Sequence, residues 1–321
     1  VMDSNIWQDW ASLQFLVTIM PHIHVAPAYY GGDQTAGIFV LQDMGNAQNL
    51  REILLQTDAE QARQGLLRFF ANLGKLHAHT RGHQNLFLEA RRSLGAYDPE
   101  KEFHRGQRAQ TLQRFQSMLT HLQIPSSREA TTDLYTVISL LANPGAFLAY
   151  IHGDPAPFNC LVTKETSYLI DFEYGTYAHA LLDGAQARML FPSCGFVNHI
   201  PASILQEIET TYRNGLMQGC PEAADDALFA QALTAACAYW AINFCSWRSF
   251  LQTMKEDCTW GISTVRQLHI LRAERFAQTT QETGYFQALG AIFNEVAKQL
   301  RSLWPEATDN LPLYPAFRQW A

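Results

Sequence analysis

The segment YIHGDPAPFNCLVTKETSYLIDFEYG, residues 150–175, places one His, two Asp, one Asn and two Glu around two short apolar runs. CLV and YLI have strand composition, and the intervening KETS suits a four-residue hairpin loop. With CLVT (160–163) and YLID (168–171) as strands and Thr163 opposite Tyr168, antiparallel pairing predicts Cys160 opposite Asp171. Asn159 then lies diagonally beside Asp171, near enough to share an ion. An isolated hairpin is marginal in water, so a chain that builds a polar centre on one must wrap it in other elements.

Those elements are mostly helical. Residues 5–20 read as a helix with Leu13 and Leu16 on its apolar side. VAPAYYGG (25–32) and GIFVLQD (37–43) read as two strands joined by a Gly/Asp turn. Two strands alone leave bare edges, so the start reads as the tail of a sheet whose earlier strands lie upstream. From residue 46 onward helix dominates. Thr57 to Glu60 forms a capping box before Leu66, Phe69, Phe70, Leu73 and Leu76, with Gly82 as a stop. A second box, Ser126 to Glu129, opens a helix that ends at Asn143-Pro144-Gly145. Further helices are expected at about 201–218, 222–254, 262–278 and 284–303, with Trp304-Pro305 closing the last. The expected class is α+β. A remnant of a helix plus two strands spans 1–44 with a hinge at about 41–45, and a helical part, 45–321, is interrupted by the hairpin at 150–175.

Composition narrows the function. At 47% hydrophobic and 17% charged residues the chain is globular, and a net charge of −7 without a long basic run gives no nucleic-acid footprint. The mildly acidic surface suits a cationic small substrate or solubility alone. The apolar stretch 228–245 carries Gln, Thr and Asn and follows Asp225 and Asp226, which predicts a buried helix and no membrane span. Six Cys at 160, 194, 220, 237, 245 and 258, with no CxxC pair, point to reduced thiols in a cytoplasm. The first ten residues have no apolar h-region and make no signal peptide.

A carboxylate and an amide oxygen are hard ligands of the kind magnesium takes, with water and phosphate completing its shell. Asp154 stands five residues before Asn159, across a loop stiffened by Pro155 and Pro157, as a carboxylate outside that pair. His152-Gly153-Asp154-Pro155-Ala156-Pro157-Phe158-Asn159 and Ile170-Asp171-Phe172-Glu173 resemble the catalytic loop and metal-binding segment of the aminoglycoside phosphotransferase family. That family, with choline kinases and other small-molecule kinases, shares the protein-kinase-like fold. The spacing H-x-D-x4-N is the kinase spacing, and Glu173 replaces the Gly of the protein-kinase D-F-G.

The resemblance implies a two-lobe kinase-like fold with a truncated N-terminal β lobe and a large helical C-terminal lobe. It implies transfer of the γ-phosphoryl group of ATP or GTP, with magnesium, to a hydroxyl of a small molecule such as an aminoglycoside, amino alcohol or sugar. Asp154 would accept or orient the acceptor's proton, His152 would brace the loop, and Asn159 and Asp171 would hold magnesium. Gln42 would offer its C=O and Met44 its N–H to adenine. Asp9 resembles the acid that pairs with the family's phosphate-binding Lys, and Asp183 resembles the Asp that ties down the catalytic loop. Only eight residues precede Asp9 and none is Lys or Arg, so Asp9 is expected to lack a partner. The chain is then either an incomplete copy of an intact enzyme or natively short and impaired. Two alternatives stand beside kinase activity: a nucleotide-binding pseudokinase or scaffold, and a metal-dependent hydrolase on His152 and Asp154. The hydrolase would need two or three further ligands.

Other features have ordinary readings. His77, His79 and His83 sit at a helix end, where His complements the dipole, and His22 and His24 approach a strand. Tyr239, Trp240, Phe244, Trp247 and Trp260 are read as core, with an aromatic box for a cation as the competing assignment. Glu256 and Asp257 read as a solvated face. Arg188 is left between a phosphate contact and pairing with a nearby acid.

Overall fold

The computed structural model describes residues 4–99, 109–243 and 249–320. Its first element, α1 (Ser4–Ile19), is buried on more than one side by Trp10, Leu13, Phe15 and Leu16. It packs on the hairpin β1 (Tyr29–Asp33) and β2 (Ile38–Leu41), where Trp10 meets Tyr29 and Phe39. The hairpin closes through Asp33, whose carboxylate accepts from the N–H groups of Thr35 and Ala36. The strands are shorter than the sequence suggests, because pairing runs only from Tyr29↔Leu41 to Asp33↔Ile38.

Beyond the turn at 43–47, β3 (Gln48–Asn49) leads into α2 (Leu50–Leu54). The long α3 (Ala59–Thr80) buries Leu66, Phe69, Phe70, Leu73 and Leu76, the 3.6-residue apolar stripe that the sequence displays. Both expected capping boxes shift by one residue. Asp58 caps α3 by accepting from Gln61 N–H. Ser127, rather than Ser126, caps a later helix by accepting from Ala130 N–H, while Ser126 turns to Thr131. In both cases the later start is fixed by the short polar side chain that reaches the third N–H beyond it.

Next come α4 (Gln84–Ser93), α5 (Thr111–Leu122) and α6 (Arg128–Ala142). Strand β4 (Leu148–Ile151) then pairs antiparallel with β7 (Thr176–His179), from Leu148↔His179 to Ile151↔Thr176. Residues 152–175 are therefore an excursion whose two ends meet at the Ile151↔Thr176 pair. Within it, β5 (Cys160–Val162) and β6 (Ser167–Leu169) form the hairpin, and β3 pairs with β5 to give the order β3-β5-β6.

The hairpin register corrects the expectation. Cys160 faces Leu169 and Val162 faces Ser167, so Asp171 lies beyond the strand. The turn decides this: Thr163 donates its N–H to Thr166 C=O at 2.8 Å, and its hydroxyl accepts from Glu165 and Thr166 N–H. Pairing thus closes at Thr163 and Thr166, two residues tighter than assumed. The even shift leaves side chains on their intended faces.

Short α7 (Leu181–Gly184) is followed by α8 (Ala202–Leu216), which crosses α3 where Gly74 and Gly215 allow backbone contact. The expected helix at 222–254 is two described helices, α9 (Asp226–Asn243) and α10 (Phe250–Lys255). The second starts anew at Ser249 with a capping box to Gln252; residues 244–248, with Phe244 and Trp247, lie outside the described residues. A small hairpin, β8 (Thr259–Trp260) and β9 (Ser263–Thr264), precedes α11 (Val265–Thr283) and α12 (Gln287–Leu303). Among the described residues no helix is long and apolar enough to cross a membrane. Cys160, Cys194, Cys220, Cys237 and Cys258 are free thiols.

Candidate active site

Chain geometry brings β4 to an abrupt turn at His152. Gly153 takes a positive φ of 83°, which a Cβ would strain. The turn is held from beneath by Asp183, buried on α7: its Oδ2 accepts from His152 N–H at 2.7 Å and its Oδ1 from Gly153 N–H at 3.2 Å. A third donor, His77 Nε2–H on α3, reaches the same Oδ2 at 3.2 Å, and His77 Nδ1 contacts Tyr212 Oη at 2.9 Å. His77 is fully buried, so it does more than complement a helix end. His79 is half-buried and His83 exposed.

The His152 imidazole is also committed to the loop. Nε2–H donates to Ile170 C=O at 2.9 Å, and Nδ1 accepts from Asp154 N–H at 3.3 Å. Burial depresses its pKa, which keeps the ring neutral and matches this bonding pattern. His152 thereby ties the turn to the segment beyond β6 that carries Asp171.

Asp154 and Asn159 touch. Asn159 Nδ2 donates to Asp154 C=O at 3.0 Å and to Asp154 Oδ2 at 3.2 Å. Asp154 Oδ1 is buried without a hydrogen-bond partner. Burial raises the Asp154 carboxyl to about 6; the neighbouring Ser193 hydroxyl opposes this, while Asp171, Asp183 and Glu173 add to it. Ile170 N–H donates to Asn159 C=O at 3.1 Å, which sets Asp171 next to Asn159. Asp171 then turns outward with a φ of 67° and is exposed to solvent.

Asp9, expected to lack a cationic partner, is held by a backbone N–H. Its Oδ1 accepts from Phe172 N–H at 2.8 Å, so α1 grips the backbone immediately after Asp171. Burial raises Asp9 to about 6, with the Phe172 bond opposing and Asp171 and Glu173 adding to the rise. Among the described residues no Lys or Arg forms an ion pair with Asp9, Asp154 or Asp171. Asp171 thus lies near Asp9 and near Asp154, and among the described residues no ion-paired protein cation offsets them. Hard oxygens without a counter-charge fit a divalent ion that brings water and phosphate with it. Among the described residues no three His, Cys, Asp or Glu side chains gather as a metal set.

The segment expected to be the hinge follows β2. Gln42 N–H donates to Ala28 C=O at 2.8 Å, and Gln42 Oε1 accepts from Ala28 N–H at 3.3 Å. Asp43 closes the following turn by accepting from Gly45 N–H, while Met44 C=O accepts from Ala47 N–H. Arg188 is resolved as an acid partner, bonded to Glu209 at 2.6 and 2.8 Å and to Glu282 at 2.5 Å. Tyr239 and Trp240 are core residues, and Trp240 Nε1–H donates to Leu182 C=O. Trp260 lies on the β8–β9 hairpin beside Gly195.

Sequence reasoning passed over His77, Tyr212 and Ser193. Only His77 carried a usable signal: it falls four residues after Leu73 and seven after Phe70, on the buried stripe of α3. A His on such a face needs bonded partners.

Several solved structures are similar to this chain. A choline/ethanolamine kinase family protein from Mesorhizobium loti is 16% identical, with 90% of this chain and 85% of that chain covered at a TM-score of 0.50. A choline kinase from Streptococcus pneumoniae is 14% identical over 94% and 84% at a TM-score of 0.41. A macrolide 2′-phosphotransferase from Brachybacterium faecium is 15% identical over 74% of each chain at a TM-score of 0.37. The first of these establishes the protein-kinase-like α+β fold. No curated protein matches in sequence. The sequence profile of the phosphotransferase enzyme family, however, matches residues 13–212, well over half the chain and all of the turn and hairpin just described, and the chain belongs to that family.

Proposed function

We propose that this phosphotransferase moves the γ-phosphoryl group of ATP to a hydroxyl of a small molecule, with Asp154 as the group that receives the hydroxyl's proton. The observation that carries this reading is the Asp154 carboxylate itself. One oxygen is fixed by Asn159, and the other is buried, with the Ser193 hydroxyl near the carboxyl but no hydrogen bond to that oxygen. A carboxylate held in that way presents one acceptor atom to an incoming O–H.

In the proposed step the acceptor oxygen bonds to the γ-phosphorus as the bond to the β-phosphate oxygen breaks. The proton passes to Asp154 Oδ1, and the nucleoside diphosphate leaves. Asn159 and Asp171 would hold magnesium, which when bound offsets phosphate charge. Positioning supplies most of the rate in such transfers, because the transition state is loose. The chain's own residues supply it by stacking constraints: Asp183 fixes the turn, His152 fixes the turn to the hairpin exit, and Asp9 fixes the exit to α1. Gln42 C=O and Met44 N–H would receive the adenine edge, with residues 1–44 and 45–321 as the two sides of the cleft. The free thiols are compatible with a cytoplasmic setting, where ATP is abundant.

Calorimetric titration of ATP with and without magnesium tests the assignment. Wild type should bind ATP more tightly with magnesium, and Asp171→Ala should lose that difference. Magnesium-dependent binding that survives in Asp171→Ala would contradict the proposed ligand set.

A further inference from the structure

Buried polar atoms without hydrogen-bond partners lie on Asp154 and on segments packed near it. They are Asp154 Oδ1, Ser193 Oγ, Asn198 Oδ1, Ser263 Oγ and Arg51 Nε. Independent contacts bring their segments together. Ser193 faces the Asp154 carboxyl. Ser193 and Asn198 belong to one loop, and the β8–β9 hairpin that carries Ser263 docks on it through Ile262 N–H to Gly195 C=O at 3.1 Å. The Arg51 guanidinium lies 3.7 Å from the centroid of the Phe196 ring in that loop. Asn49, which caps the helix bearing Arg51, donates to Phe158 C=O at 2.6 Å, on the turn between Asp154 and Asn159.

Buried polar atoms in folded proteins are almost always bonded, so a cluster of unbonded ones at a reaction centre marks a polar ligand. The cluster contains acceptors, hydroxyls and one cation. Arg51 makes no side-chain hydrogen bond or ion pair among the described residues, whereas the neighbouring Arg272 is engaged with the carbonyls of Met189, Leu190 and Phe191. The guanidinium sits over the Phe196 ring with Nε unbonded, which leaves N–H donors for a planar or tetrahedral oxyanion. A cationic group on the acceptor would meet this charge unfavourably.

We propose that Arg51 is a specificity residue that binds an oxyanion, carboxylate or phosphate, carried by the acceptor beside its reacting hydroxyl. The proposal rests on the phosphotransfer reading and names the substrate class for that site. Ser193, Asn198 and Ser263 complete the polar wall, and the hydroxyl faces Asp154.

Calorimetric titration separates this from the reaction assignment. The probes are glycerate, glycerol 3-phosphate and, as a cationic alcohol, choline, titrated into wild type, Arg51→Ala and Arg51→Lys, with magnesium-ATP titrated in parallel. Wild type should bind glycerate or glycerol 3-phosphate more tightly than choline, and the preferred one identifies carboxylate or phosphate. Arg51→Ala should weaken that binding by about 10- to 100-fold, the loss of charge-assisted hydrogen bonds. Arg51→Lys should weaken it less, and magnesium-ATP affinity should stay within about twofold. Melting temperatures check that each variant is folded. A preference for choline, no binding of either oxyanion probe to wild type, or unchanged oxyanion binding in Arg51→Ala overturns the proposal. Loss of nucleotide affinity in Arg51→Ala also overturns it, by assigning Arg51 to the nucleotide. Failure of wild type to bind magnesium-ATP would instead strike the phosphotransfer reading.

Discussion

Asp183→Asn keeps the side chain's size while removing its charge and one acceptor oxygen. The carboxylate receives three N–H donors: His152 and His77 at Oδ2, and Gly153 at Oδ1. An amide nitrogen in the Oδ2 position would face the His152 donor at 2.7 Å, so the amide should settle with its nitrogen toward Gly153. Gly153 N–H is then buried and unbonded, at a cost of about 1–3 kcal/mol. The two surviving bonds change from charge-assisted to neutral, which costs about another 1–2 kcal/mol in total. Urea denaturation should therefore show a loss of about 2–5 kcal/mol. Because the same bonds position the turn bearing Asp154, transfer should fall by roughly 100-fold, the scale of an ångström-sized misplacement. A variant within about 0.5 kcal/mol of wild type and of equal activity would refute the claim that Asp183 holds the turn.

Two further perturbations probe the scaffold. A methyl group at Gly74 would meet the Tyr212 carbonyl and Leu216 N–H of α8, so Gly74→Ala should destabilise the fold by about 2 kcal/mol in urea, despite alanine's better helix propensity. His179 is buried, its Nδ1 accepts from Leu181 N–H at 3.2 Å, and burial with the nearby His77 lowers its pKa to about 3. The unfolded chain binds this proton near pH 6.5, so the stabilising contribution is complete above that pH and is lost as pH falls toward 3, at about 1.4 kcal/mol per pH unit. His179→Gln removes that dependence. Its deficit relative to wild type should shrink by about 2 kcal/mol between pH 7 and 5 in denaturation curves, and a constant deficit would contradict the assignment.

How much of this was legible in the sequence depended on range. Asp154, Asn159 and Asp171 lie within eighteen residues, and their motif survives any small error in strand register. The register itself was misjudged because Thr163 side-chain bonding, not loop length alone, closes the turn. Helices with a 3.6-residue stripe, such as α3 and α12, were readable to within a few residues. Strands β4 and β7 were not, since β7 is buried at every position and shows no alternation. The Asp9–Phe172 bond joins residues 163 apart in the chain, and His77 meets Asp183 across 106, so neither has a local signature. Arg51 and Ser193 belong to the same class: each is an ordinary residue in sequence, and only the fold brings their segments near the turn that carries Asp154.

Phosphoryl transfer by Asp154→Ala tests the central claim most directly. With an acceptor that wild type phosphorylates, the variant should bind magnesium-ATP as wild type does and lose about 100- to 10,000-fold in turnover, the usual contribution of a positioned base. Turnover equal to wild type would contradict the account, because the buried, unbonded oxygen of Asp154 would then have no part in moving the acceptor's proton.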